Sequence, residues 1–277
     1  MSASRTRAPL PVRAELARQL GRRRTQWIGV LLVALPLLLV GAFALGGGGS
    51  SSGGSVDPVD VATSSAGNFA TFTLFASTGF LLVVLVALLA GDSVAAEAGW
   101  SSLRYLLAAP VPRSRLLRAK LAVALATALA ALVGLVVVAL LVGAAFYGWH
   151  DVATPQGGTL GPWQAVGRIA LATGVAASSL LWVAGVAFWL STRTDAPLAA
   201  VGGAVLVFIL CSILNSITAL GDLRVWLPTH DQYAWVAVLA PTPQWDEALR
   251  GGLVSLTYAV VALAAAWRGF ARKDITS

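Results

Sequence analysis

Apolar residues in this chain gather into long unbroken runs, and the polar residues collect between those runs. A helix rises 1.5 Å per residue, so about 20 apolar residues cross the roughly 30 Å hydrocarbon core of a bilayer. Six runs reach that length: about Trp27–Leu45, Phe69–Ala90, Leu121–Tyr147, Val166–Leu190, Pro197–Leu220 and Gly251–Trp267, with boundaries good to a few residues. None alternates with period two, as the strands of an outer-membrane barrel would. The expected fold is all-α, a polytopic membrane protein with six transmembrane helices over 27–267. A cytoplasmic lead, 1–26, precedes it and a short cytoplasmic tail, 268–277, follows.

The segments between the runs are not uniform. In the lead, Val12, Leu16 and Leu20 recur at i, i+4 and i+8 beside Arg13, Arg18 and Arg22 to Arg24. That pattern predicts a helix lying in the membrane interface against anionic headgroups; the other reading is a topology signal without structure. Residues Gly46 to Ser55 are glycine and serine and read as a flexible outward linker. The bridge from Asp92 to Lys120 is too polar for lipid and too helical in pattern for a plain loop. Leu103, Leu106 and Leu107 share a face, Glu97 and Arg104 lie two turns apart, and Pro110 and Pro112 then break the helix. The bridge is read as a cytoplasmic coupling helix between spans 2 and 3. The outward segment 221–250 interleaves Trp226, Tyr233, Trp235 and Trp245 with Pro228, Pro241 and Pro243 and reads as short half-inserted helices.

Charge sets the orientation. Only 11% of residues are charged and 57% are hydrophobic, where soluble domains carry roughly 25% charged residues. Sixteen of the 19 Lys and Arg fall on the side of the termini and the bridge, which the positive-inside rule places in the cytoplasm. The net charge of +7 is therefore a matter of topology, and no nucleic-acid partner is expected. The first run starts behind a long arginine-rich lead and reads as a span, not a cleaved signal peptide. Cys211 is the single cysteine, so neither an intramolecular disulfide nor a cysteine metal site is expected.

Candidate chemistry is sparse. The span interiors are nearly free of charge, which speaks against proton or sodium coupling. Their uncharged polar residues offer either helix–helix hydrogen bonds or the lining of a substrate path, for which the candidates are Thr71, Thr78, Ser212 and Asn215. Ala122, Ala126, Ala130 and Gly134 form a small-residue stripe suited to close helix approach, Pro36 is expected to kink the first span, and Pro197 suits a helix start. His150-Asp151 and His230-Asp231 lack ligand spacing and read as solvated loop residues. The glycine tract lacks the Lys and Ser or Thr of a phosphate-binding loop, and no such signature occurs elsewhere. Neither histidine lies in a span and only Asp92 is near one, so an intramembrane protease is set aside. The chain is expected to have no catalytic, cofactor or metal site of its own.

At the bridge, Glu97, Ser101-Ser102, Leu103, Leu106-Leu107, Pro110, Arg113 and Lys120 resemble the segment after the second span of ABC-2 type permeases, the membrane subunits of ABC exporters. The family's Gly-Thr stands here as Ser101-Ser102, which keeps small size and a hydroxyl. The basic lead, the outward segment before the last span and the Arg272-Lys273-Asp274 ending are also similar. The resemblance implies a permease that works with two copies of a separate ABC ATPase, which would bind ATP and Mg. A second permease, identical or related, would complete the assembly. It also implies that the bridge docks in the ATPase through Glu97, Ser101, Ser102, Arg104 and the Pro110 turn. Arg113 and Lys120 would hold the third span at headgroup level. A prokaryotic cytoplasmic (inner) membrane, multi-pass, with both termini cytoplasmic, is the expected location. The alternatives are an ATP-independent carrier, or a membrane scaffold or sensor that transports nothing.

Overall fold

The computed structural model describes residues 16, 19, 21, 23–46, 58–99, 113–154 and 157–271. α1 (Arg23–Gly46) remains one helix across Pro36. After it come a short α2 (Pro58–Thr63), α3 (Ala66–Thr78), α4 (Leu81–Gly99) and the long α5 (Arg113–Tyr147). A two-residue β1 (Val152–Ala153) pairs antiparallel with β2 (Thr159–Leu160). The remainder is α6 (Pro162–Ser179), α7 (Leu181–Arg193), α8 (Pro197–Ser216), two 3-10 helices (Thr218–Trp226 and Ala234–Leu239) and α9 (Asp246–Ala271). Apart from the small β ribbon, the described residues are helical or in turns.

Among the described residues, five stretches are long and apolar enough to cross a membrane: Thr25–Gly46, Ser114–Tyr147, Pro162–Arg193, Pro197–Ser216 and Asp246–Ala271. The α3–α4 pair, bent by 61°, makes a sixth if it counts as one span. The outward faces carry large apolar side chains such as Leu38, Leu141, Leu198 and Val261, as expected of helices solvated by lipid.

Two runs read as continuous are broken, and Ser and Thr back-bonds lie just before each break. Thr73, Ser77 and Thr78 donate to the Phe69, Thr73 and Leu74 carbonyls just before α3 ends at Gly79. Ser178 and Ser179 donate to the Val175 and Ala176 carbonyls just before the turn at Leu180. Such back-bonding competes with the helical ladder and bends it. The ends differ from the expected ones too. α8 stops at Ser216, four residues short of Leu220, and a 3-10 helix takes over. Gly221 there sits at φ 50°, a left-handed value that glycine adopts readily. α9 starts at Asp246, not Gly251, with Asp246 and Glu247 in the first turn, where they meet the positive end of the helix dipole. Pro197 does open α8.

α7 is the hub. It packs most extensively on α9 and α4 and also on α8, whereas α3 and α1 lean on α5. The most apolar 18 residues of the Pro162–Arg193 stretch are 56% buried, against 17% for those of Thr25–Gly46. Gly185 sets the closest approach, since a Cβ there would lie 2.8 Å from the Ala259 Cα. The inward face of α9 is small at nearly every turn: Gly251, Ser255, Ala259, Ala262 and Ala266. This is the stripe that brings helices together. The stripe expected on α5 does not: Ala122, Ala126 and Ala130 are exposed, and Gly134 faces only Leu32. α5 instead presents Gly143, where a Cβ would lie 2.9 Å from the Ala66 Cα of α3. Of the basic lead, Leu16 and Gln19 are helical, and Gln19 Nε2 donates to Thr127 Oγ1 at 3.2 Å. Val12 and Leu20 lie outside the described residues.

Candidate functional site

The bridge leaves the bundle at the end of α4 and re-enters at the start of α5. Its middle, residues 100–112, lies outside the described residues, and with it Ser101, Ser102, Arg104 and Pro110. Glu97 and Arg113 belong to α4 and α5 by backbone, and their side chains also lie outside the described residues. What is described is the root on both sides. There Lys120 Nζ, on α5, donates to the Ser93 carbonyl of α4 at 3.1 Å. Lys120 is 2% exposed, so its ammonium is enclosed between helices of the bundle. The long stem turns inward along the α4–α5 contact, and a carbonyl acceptor offsets part of the cost of burying an ammonium.

The same turn of α4 is held by α7. Ser191 Oγ accepts from two successive α4 amides, Val94 N at 3.0 Å and Ala95 N at 2.9 Å. Ser93 Oγ donates to the Ala90 carbonyl. From a third side α8 closes on Gly91, where a Cβ would meet Val201 at 3.1 Å. α9 is tied to the same block through α7: Phe188 stacks with Trp267 at 5.9 Å, and the Arg193 guanidinium lies over the Trp189 ring and against Gly269. Asp92 is buried in this region as well. A displacement of the bridge root therefore acts at once on α4, α5 and α7.

Halfway along the bundle, Ser255 of α9 accepts from Trp182 N at 3.1 Å. Trp182 is in the first turn of α7, where amides have no partner within the helix, and the break at Leu180 creates that need. Ser255 thus caps α7 from a neighbouring helix.

At the end away from the bridge, the candidate path residues do not converge. Thr71 lines a cavity of about 710 Å³ between α2, α3, the β ribbon, α6 and the second 3-10 helix. Its hydroxyl donates to the Gly67 carbonyl of its own helix. Thr78 is fully buried and donates to the Leu74 carbonyl, and Ser212 is half-buried on α8. Asn215 Oδ1 lies 3.0 Å from His230 Nδ1. The reading of His230-Asp231 as solvated fails for the aspartate. Arg250 Nε and Nη2 donate to the Asp231 carboxylate at 2.8 and 2.7 Å, and that side chain is 6% exposed. Together with Thr229 Oγ1, which donates to the Cys211 carbonyl, these contacts pin the outward segment to α8 and α9. Among the described residues, no three His, Cys, Asp or Glu side chains gather as a metal site would require.

Sequence reasoning missed Ser191 and Ser255, the two serines whose hydroxyls join helices. Their only signal was a hydroxyl within or at the edge of an apolar run, which many serines share. A family model for ABC-2 family transporter proteins matches residues 19–275. Comparison with curated proteins gives no match.

Proposed function

The chain belongs to the ABC-2 family of transporter proteins and is a multi-pass membrane permease, and from that premise we propose that it is the transmembrane subunit of an ATP-driven exporter. The family is one of membrane domains that generally work with a separate ABC ATPase. In this reading two ATPase copies bind ATP and Mg, and this chain binds neither. A second permease, identical or related, completes the translocation path. The segregation of Lys and Arg supports both termini and the bridge lying in the cytoplasm, and the family reading places the chain in a prokaryotic cytoplasmic membrane. Glu97, Ser101, Ser102, Arg104, Pro110 and Arg113 form the contact with the ATPase.

One observation carries the coupling: the two roots of the bridge are bonded to each other, Lys120 to the Ser93 carbonyl, and Ser191 bonds the same turn to the hub helix. A push on the bridge is then passed to the spans and is not absorbed by a loose loop. Lys120 acts in this scheme as a strut inside the protein, and Arg113 remains as a headgroup-level anchor.

The test is co-purification with candidate ATPase subunits, reading both the ATPase retained in detergent and its turnover. Glu97→Ala and Arg104→Ala should loosen retention. Ser191→Ala should leave the ATPase bound and weaken the dependence of its turnover on the permease. If no ATPase associates under any condition, the coupled reading fails, and an ATP-independent carrier or a scaffold takes its place.

A further inference from the structure

The 710 Å³ cavity lies at the end of the bundle away from the bridge and has no part in the coupling just described. Its wall is mostly apolar, with Phe72, Val152, Ile169, Trp235 and Leu239 among its residues, and no charged side chain lines it. Four side chains with polar atoms do: Asn68, Thr71, Thr154 and Trp235, whose buried Nε1–H has no hydrogen-bond partner among the described residues. Asn68 Nδ2 donates to Ser64 Oγ, Thr71 Oγ1 to the Gly67 carbonyl and Thr154 Oγ1 to the Gly157 carbonyl. The two hydroxyl protons are thus engaged locally, and a charge placed inside would have no counter-charge to offset its desolvation. The cavity suits the apolar part of a ligand.

Volume narrows the choice. A methylene occupies roughly the 30 Å³ share of a water molecule, so one long alkyl chain needs on the order of 500 Å³ and a two-chain lipid about twice that. One chain fits and two do not. The nearest cation to the wall by position is Arg168. It is half-buried, on the turn of α6 whose Ala165 and Ile169 line the cavity. Its Nη2 donates to the Pro241 carbonyl at 3.3 Å, and Pro241 packs close to Gly158, another lining residue. That bond leaves most of the guanidinium's N–H groups for an anion at the rim. The nearby acid, Asp60, is exposed and lies off the 58/61/62 face of α2 that lines the cavity.

We propose that this cavity binds an anionic single-chain amphiphile, with the alkyl chain against Ile169 and Leu239 and the acidic head at Arg168. A lysophospholipid and a free fatty acid share that chemistry. Binding needs no nucleotide or ATPase, so its failure and the failure of the coupled-exporter reading are distinguishable.

The experiment uses the full chain in nanodiscs of a zwitterionic lipid and titrates four probes: lysophosphatidylglycerol, a long-chain fatty acid, an uncharged monoacylglycerol and chain-free glycerol phosphate. Saturable binding of the two acids is expected, at least about tenfold tighter than that of the other two probes. Preference between the two acids identifies the source of the head group. Filling the cavity by Thr71→Trp, or from the α2 wall by Val61→Trp, should weaken binding of the acids by about tenfold or more. Arg168→Gln should weaken the acids by about fivefold and leave monoacylglycerol unchanged. The two filling variants approach from different helices, so a folding defect in one leaves the other to decide. Unchanged affinity in a folded filling variant overturns the site. Equal binding of charged and uncharged chains overturns the role of Arg168, and glycerol phosphate binding as tightly as the chained acids overturns the cavity as the chain's seat.

Discussion

The two halves of the bent α3–α4 pair meet their neighbours' polar groups in different ways. At the bridge end, Lys120 and Ser191 reach across from α5 and α7 to the backbone of α4, and each bond joins elements far apart in sequence. On α3, Thr71, Thr73, Ser77 and Thr78 turn back on their own helix, and beside Thr71 the space between elements is left open as a cavity. In lipid there is little hydrophobic drive between helices, so close packing and interhelical hydrogen bonds decide which helices move together. In the proposed coupling, the bridge end is the part that transmits displacement, and the cavity end is the part free to yield or to hold something.

The contrast breaks most severely at the hub. Gly185→Leu places a side chain where the Ala259 backbone already stands, and nothing flexible can give way. A loss of about 3 kcal/mol is expected, the upper part of the range for overpacking. Thermal unfolding in detergent would show it, with Gly185→Ala intermediate; an unchanged midpoint for the leucine variant would mean that α7 and α9 do not meet as described. Ser191→Ala comes next. It removes the acceptor of two amides and should cost about 1–3 kcal/mol. Ser255→Ala removes the acceptor of one and should cost about half as much by the same melt. Equal effects would remove the special standing of the bridge root.

Much of the fold was legible because lipid imposes one strong rule. Backbone polar groups must be satisfied within the segment, so long apolar runs become helices, and α1, α5, α8 and α9 follow from that alone. Pro197 at the head of α8 was readable for a similarly local reason. The breaks at Gly79 and Leu180 were not, because the runs stay largely apolar through them and Ser or Thr back-bonds of the same kind also sit in unbroken helices, as at Thr127 and Thr257. The packing stripe on α9 was not singled out because alanine is common throughout, and spacing cannot say which face of a helix meets a neighbour. The joint was the least legible part. Ser191 and Val94 stand 97 residues apart, and no local pattern announces their meeting. Of the candidate path residues, Thr71 reached a cavity, while Asn215 found His230 in the outward segment.

Smaller effects sharpen the comparison from the far end. The Arg250–Asp231 pair is bidentate, but Arg250 is exposed, so a double-mutant cycle with Arg250→Gln and Asp231→Asn should return a coupling of about 1 kcal/mol or less. High salt should shrink it further. A coupling well above that would mean that the outward segment is clamped as firmly as the bridge root.

The smallest effect expected is the most diagnostic. Thr71→Val keeps the shape of the side chain and removes a hydroxyl whose described partner is the Gly67 carbonyl of its own helix. That carbonyl is in the first turns of α3 and remains within reach of the helical ladder, so no buried acceptor is orphaned. Stability should change by less than about 0.5 kcal/mol, and binding of an alkyl chain in the cavity should hold or tighten slightly as the wall becomes more apolar. Ser191→Ala removes one hydroxyl too, yet its loss takes an acceptor from two amides on another helix. A Thr71→Val melt as low as that of Ser191→Ala would mean that the far-end hydroxyl also joins elements, and the division between a transmitting end and a yielding end would not stand.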